Sequence, residues 1–246
     1  MERILQGKAA LVTGGGRGIG RAVAEAFSQA GAGVVVFSRT LREVEETAKA
    51  IEAAGGRAVA VAGDVREPKD LEAAVEAAHA AFGRLDILVA DAGANVISKR
   101  LIDASEQEWD DAFDVNVKGS FLTVRAAAPR MSKDGSIILV TTGLARGPGR
   151  FGAFREDGHS DPDGPLPEYA PYSLAKYAVE GLTRVLAAEL PQRVNCVNPG
   201  VVDTRMSPGV PLKPHDVTGV FLHLASKESG STTGRVLRAL DFLADP

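Results

Sequence analysis

Thr13-Gly14-Gly15-Gly16-Arg17-Gly18-Ile19-Gly20 is the stretch whose reading decides the fold. It lies between an apolar run that ends at Thr13 and a helical pattern that begins at Ile19. Glycines there permit a tight turn and a close backbone approach. The helix N-terminus behind them turns its unpaired amides toward an anion. Gly14, Gly16, Arg17, Gly18 and Ile19 are therefore candidate contacts for the pyrophosphate of a dinucleotide. Without a strand before it and a helix after it, the same string would be weak evidence.

Working outward, short apolar β-branched runs occur at 9–13, 34–38, 58–62, 87–90, 137–141 and 194–197, with a further short strand near 234–237. Runs of this kind suit parallel strands covered on both faces. Helical periodicity fills 19–30, 41–54, 68–82, 106–131, 172–190 and 216–225. The alternation predicts the α/β class: a doubly wound, Rossmann-type parallel sheet with helices on both faces, forming one domain over 1–246. Only 146–168 breaks the rhythm, with five glycines and four prolines in 23 residues and nothing periodic. It follows a strand's carboxyl end, the edge where open sheets bind ligands, so an inserted loop near the site is expected. A substrate-side cover and a tolerated insertion both fit it.

Bulk properties narrow the function classes. The formal net charge is −4 and the 28 basic residues are scattered, which argues against a nucleic-acid partner. No apolar run approaches the ~18 residues of a membrane span. The amino-terminal residues enter a strand almost at once, leaving no room for a signal peptide, and Cys196 is the sole cysteine. Both points suggest a reducing, cytoplasmic location. Cys196 sits in an apolar strand and reads as a small buried hydrophobe. The histidines at 79, 159, 215 and 223 show no metal-ligand spacing, so no metal is expected.

Residues after the second strand select the cofactor. A carboxylate there accepts the ribose hydroxyls of NAD(H), whereas positive charge suits the 2′-phosphate of NADP(H). The chain reads Ser38-Arg39-Thr40, and Arg17 adds a second guanidinium from the glycine loop. Arginine pairs with phosphate through paired, charge-assisted hydrogen bonds, so NADP(H) is expected rather than NAD(H). Asp64-Val65 after the third strand and Ala92-Gly93 after the fourth are placed to contact adenine and ribose.

Tyr172 and Lys176 are four apart on a predicted helix and share one face. A neighbouring ammonium favours an ionised phenol, and such a phenol can exchange a proton with a substrate oxygen.

With these residues in this order, the chain resembles the short-chain dehydrogenase/reductase family along essentially its whole length. The matching segments are the glycine loop, Asp64, Asn116-Val117-Lys118-Gly119, Tyr172-x-x-x-Lys176, Asn198-Pro199-Gly200 and Thr204. The resemblance implies a sheet of about seven strands and hydride exchange between a nicotinamide cofactor and a carbonyl–alcohol pair. It implies Tyr172 as acid/base, Lys176 as the ribose anchor that depresses the tyrosine's pKa, and Asn116 as the anchor of a proton-relay water. Pro199, Gly200, Val202 and Thr204 become further cofactor contacts.

The chain also departs from that pattern. Thr142 stands where a serine is usual, and Ala90-Asp91-Ala92-Gly93 replaces Asn-Asn-Ala-Gly. The 146–168 loop is long, while the segment 201–215, where a helical substrate cover is common, is short. The two length changes are expected to compensate. The reading is an NADP(H)-dependent oxidoreductase acting on a small carbonyl or alcohol. A nucleotide-binding protein with weak or no catalysis is the alternative. Helix 172–190 is apolar on more than one side, which suits a homodimer or homotetramer as well as a helix simply buried in its own chain.

Overall fold

Seven short strands form one parallel sheet in the order β3-β2-β1-β4-β5-β6-β7. They are β1 (Ala9–Thr13), β2 (Gly33–Ser38), β3 (Arg57–Ala62), β4 (Ile87–Ala90), β5 (Ser136–Val140), β6 (Arg193–Asn198) and β7 (Val236–Arg238). The helices are α1 (Gly18–Gln29), α2 (Leu41–Ala53), α3 (Pro68–Phe82), α4 (Glu106–Phe113), α5 (Gly119–Ala127), α6 (Ala170–Glu189) and α7 (Thr218–Ala225). This computed structural model describes residues 3–96, 101–142 and 170–243. The expected loop at 146–168 and His159 lie outside the described residues.

Strand alternation divides the core into two layers. Ala10, Val12, Val34 and Val36 pack with Val23 and Phe27 of α1 and Phe221 of α7 on one face. Leu11, Val35, Leu88 and Leu139 pack with Leu71 of α3, Leu122 of α5 and Val179 of α6 on the other. Each such Val, Leu or Phe contributes ~1.5–3 kcal/mol by leaving water, and the two layers together hold the sheet between its helices. Cys196 belongs to the second layer, and burial pushes its thiol up to about 12. Its reactive thiolate is thereby suppressed at neutral pH.

The strand order reverses between β1 and β4, which places a crevice at their carboxyl ends. Thr13 joins the two sides there. Its hydroxyl donates to Val89 O at 3.4 Å and accepts from Ala92 N at 3.3 Å.

The span 106–131, expected as one helix, is interrupted. It begins with a capping box in which Ser105 and Glu108 bond reciprocally. Asp114–Lys118 then forms a π-helical turn before α5 resumes. The physical reason lies with Asn116, whose Nδ2 donates to Ala112 O at 2.8 Å and to Ala94 O at 2.9 Å. One amide thus satisfies a helix carbonyl and a loop carbonyl, a local rearrangement that π turns commonly accompany. Pro129 closes the span in a 3-10 turn, Ala128–Arg130. Residues 201–217 contain turns and a Thr204–Ser207 bridge but no helix. No described helix is long and apolar enough to cross a membrane.

Candidate functional site

A groove of about 600 Å³ opens at the carboxyl ends of β1, β4 and β5. The glycine loop forms its floor. Gly14 and Gly18 have φ values of +71° and +56°, which only glycine adopts freely. A Cβ on Gly14 would lie 3.0 Å from Ala92 N, and one on Gly20 would lie 2.4 Å from Gly14 O. The loop therefore folds back on itself under the N-terminus of α1. Arg17 caps that helix in an extended conformation with no side-chain cap bond, and Gly18 and Ile19 of its first turn line the groove.

Every residue expected at the site lines this groove except Gly16 and Asn116. Gly16 sits behind the wall, where a Cβ would meet Ser38 Oγ at 2.8 Å and Glu43 Cβ at 2.9 Å. Its small size lets the start of α2 come close. Asn116 is fully buried beneath Gly93 and Ala94, and its Oδ1 accepts from Ala94 N at 3.3 Å. Val202 is buried where the core meets the groove wall, and the methyl of Thr204 rests over Gly18. Gly200, at φ +77°, donates its amide to Asn198 Oδ1 at 3.0 Å and turns the chain at the end of β6. Asp64 lines the groove, but its carboxylate is already gripped by Arg66, with Nη2 at 2.6 Å from Oδ2. That side-chain bond holds the Asp64 carboxyl below its ordinary range.

At one end, β5 and α6 bring Thr142, Tyr172 and Lys176 together. Lys176 Nζ donates to Val140 O at 2.9 Å, and Thr141 Oγ1 donates to Lys176 O at 3.0 Å. These bonds hold the helix face that carries Tyr172 against the strand end that carries Thr142. The Thr142 hydroxyl hydrogen-bonds the Tyr172 phenol. Burial pushes the tyrosine above its ordinary pKa, the Asp91 carboxylate adds to that, and Thr142 opposes it. The expected depression by Lys176 is not what these surroundings produce. The Lys176 ammonium points at the β5 carbonyl, 5.9 Å from the centre of the tyrosine ring. Burial also lowers the pKa of Lys176, with Asp91 opposing.

The sequence marks Asp91 only as a departure from Asn-Asn-Ala-Gly. In the structure its carboxylate receives the Gly20 amide and feels the Lys176 ammonium. Burial outweighs both and raises its pKa to about 6. A carboxyl raised in this way favours the folded state while protonated and loses that advantage as pH rises through 6. Asp91→Asn keeps an acceptor for Gly20 and removes the buried charge. The variant is expected to be more stable than the parent at pH 8, by on the order of 2 kcal/mol, and nearly equal to it near pH 4. Thermal unfolding at the two pH values measures this; an equal gain at both would refute it.

At the other end, Ser38, Arg39 and Thr40 line the groove as expected. Sequence reading missed two residues beside them. Glu43 lies one turn into α2 and accepts from Arg17 Nη1 at 3.4 Å and Arg205 Nη1 at 2.9 Å. The first had a sequence signal: Glu43 is the acidic residue in the first turn of the helix that follows Ser38-Arg39-Thr40 directly. Nothing in the sequence signalled Arg205, which arrives from 162 residues away. No cluster of His, Cys, Asp and Glu among the described residues has the makings of a metal site.

Known proteins resemble this chain throughout. A family model described as short chain dehydrogenase matches residues 8–153, and one described as enoyl-(acyl carrier protein) reductase matches residues 163–213. The chain is 32% identical to dehydrogenase/reductase SDR family member 4 of Sus scrofa, over 95% of this chain and 86% of that protein. A short chain dehydrogenase from Burkholderia cenocepacia, solved in complex with NADP, superposes with a TM-score of 0.81 at 31% identity, covering 96% of this chain and 97% of that one. A 3-ketoacyl-(acyl-carrier-protein) reductase from Brucella melitensis, complexed with NADH, gives a TM-score of 0.81 at 31% identity, covering 95% and 97%. With a seven-stranded sheet of the same architecture beneath these matches, the chain belongs to the short-chain dehydrogenase/reductase family of oxidoreductases.

Proposed function

We propose that the protein is an NADP(H)-dependent oxidoreductase that interconverts a carbonyl and a secondary alcohol, with Tyr172 as the acid/base. The observation that carries this is a single groove with unlike ends. A hydrogen-bonded Tyr172–Thr142 pair stands at one end, and Arg17 and Arg39 stand at the other.

The residues fit the cofactor. The glycine loop is packed so closely that a Cβ on Gly15, Gly16 or Gly20 would meet protein atoms at 2.9, 2.8 or 2.4 Å, and Ser38 Oγ is a buried polar atom without a protein partner at the arginine end. The α1 amides and Gly14, Gly18 and Ile19 would hold the pyrophosphate. Arg17, Ser38, Arg39 and Thr40 would hold the phosphorylated ribose, with Asp64 and Val65 beside the adenine. Ala92, Gly93, Pro199, Gly200, Val202 and Thr204 would enclose the nicotinamide half. When bound, the nicotinamide supplies or accepts the hydride.

The chain's own part is proton transfer and orientation. In reduction, the Tyr172 hydroxyl gives its proton to the substrate oxygen as that oxygen gains charge, and Thr142 donates a second hydrogen bond. Burial and Asp91 keep the phenol protonated near neutrality, which suits the reductive direction. Lys176 would hold the ribose hydroxyls. Asn116 fixes the loop at Ala94 beneath the site and, through the π turn, would order a proton-relay water. The resemblance supports a carbonyl rather than an enoyl substrate, since the family's enoyl reductases space the tyrosine and lysine more widely than Tyr172 and Lys176.

Oligomerisation is part of the same reading. Tyr172, Ala175, Val179 and Leu186 of α6 are buried, while Tyr177 and Val185 on its other face are 56% and 55% exposed. Phe121 of α5 and Trp109 of α4 are also exposed. These apolar side chains suit a homodimer or homotetramer contact.

A panel of aldehydes, ketones and secondary alcohols, followed by nicotinamide absorbance, tests the proposal. NADPH is expected to be consumed with at least one carbonyl and to bind more tightly than NADH. Tight NADPH binding with no turnover on any substrate would favour a nucleotide-binding protein without catalysis. Tighter binding of NADH would overturn the cofactor assignment.

A further inference from the structure

The ion pair across the groove mouth has a consequence for cofactor selection. Arg205 follows Thr204, whose methyl covers Gly18 at the pyrophosphate end of the glycine loop. Its guanidinium nevertheless extends to the start of α2, with Nη1 2.9 Å from Glu43 Oε1. The same Glu43 oxygen lies 3.4 Å from Arg17 Nη1. Glu43 is largely buried, at 12% side-chain exposure, while Arg205 and Arg17 are exposed at 69% and 54%. One carboxylate therefore gathers two exposed guanidiniums at one point on the wall.

Gly16 fixes where that point is. A Cβ built on it would touch both Glu43 Cβ, at 2.9 Å, and Ser38 Oγ, at 2.8 Å. The Arg205–Glu43 pair thus stands beside the Ser38 hydroxyl, a buried polar atom with no hydrogen-bond partner. Arg39 lines the same end. The other acids of this region are engaged elsewhere. Asp64 is forked by Arg66, and Asp203 pairs with Lys213 at 2.7 Å. Three guanidiniums against one carboxylate leave an excess of two positive charges, a match for a phosphate monoester of roughly −2.

We propose that Arg205 is a third guanidinium of the adenosine 2′-phosphate subsite and a determinant of NADP(H) over NAD(H), with Glu43 as the internal anion that the phosphate displaces. This rests on the reading of the groove as a dinucleotide site. A phosphate carries more charge and more acceptor oxygens than a carboxylate, so it competes well for a planar, five-donor guanidinium. NADH has only a ribose hydroxyl at that place and draws much less from Arg205.

Calorimetric titration of the whole protein with NADPH, NADH and adenosine 2′,5′-bisphosphate tests the proposal without turnover. Arg205→Ala is expected to raise the Kd of NADPH and of the bisphosphate about tenfold, one charge-assisted contact's worth, and to leave NADH within about twofold. Arg205→Lys should fall between, since it keeps the charge and loses the fork. Glu43→Gln should tighten NADPH binding by removing the competing anion. Equal losses for NADPH and NADH in Arg205→Ala, no loss for either, or weaker NADPH binding in Glu43→Gln would overturn the inference. Wild-type protein that prefers NADH would instead sink the underlying NADP(H) reading, and the wild-type titrations alone reveal that.

Discussion

Replacing Tyr172 with phenylalanine is expected to lower kcat by ~10²–10⁴-fold, the range attributed to a positioned acid or base. The change removes one oxygen and leaves the ring that packs at the end of β5. NADPH affinity should therefore stay within about twofold, and stability should fall by about 1 kcal/mol, because the buried Thr142 hydroxyl loses its bond to the phenol. Thr142→Ala should behave differently. It removes the hydrogen bond that draws the Tyr172 pKa down, so its activity should fall less and its pH profile should move to higher pH. Steady-state rates over a pH series separate the two. If Tyr172→Phe retains most of its turnover, the phenol is not the proton donor.

Gly20→Ala is the second large effect. Its Cβ would lie 2.4 Å from Gly14 O, 2.7 Å from Gly14 C and 2.8 Å from Asp91 Oδ2. Two of these neighbours are backbone, so the loop itself must shift. That shift displaces the helix start meant to meet the pyrophosphate. A loss of a few kcal/mol is expected, seen as a Kd for NADPH raised ~100-fold, along with a lower unfolding temperature. Gly181→Ala is the control, because a Cβ there meets nothing within 4 Å. It stands inside α6 between Tyr177 and Val185 and does not line the groove, so cofactor binding should be unchanged. Equal NADPH affinity in Gly20→Ala and wild type would mean that the glycine loop does not carry the cofactor.

Much of this fold was legible because its signals are local. Apolar β-branched runs such as 34–38 and the glycine loop between strand and helix each carry their meaning within a dozen residues. The edge strand β3 is half-exposed, although its apolar run reads like those of the covered strands. The π turn at Asp114–Lys118 escaped because helical periodicity continues through it. Only the reach of Asn116 to Ala94, 22 residues away, explains the break.

The candidate site divides along the same line. The Tyr172–Lys176 spacing announces a shared helix face, but the environment of the phenol does not follow from that spacing. It comes from Thr142 at the end of β5, Asp91 after β4 and the depth of burial, three contributions that meet only in the folded chain. These reverse the direction in which the tyrosine was expected to titrate. Glu43 similarly places a carboxylate beside Arg17 and Arg205 that the residues Ser38-Arg39-Thr40 do not announce. It enters from the first turn of α2, held by an arginine from the far side of the sequence. Long-range electrostatics of this kind leave no periodic trace.

Under the proposed function, a hydride and a proton leave the same groove for one carbonyl carbon and its oxygen. The most direct measurement uses NADPH deuterated at nicotinamide C4, on each face in turn, with a ketone that the protein turns over. Wild-type protein is predicted to give a secondary alcohol carrying one deuterium on the carbinol carbon from only one of the two labelled cofactors. Tyr172→Phe should give the same labelling far more slowly. Alcohol formed without label from either cofactor, or equal transfer from both faces, would contradict the account.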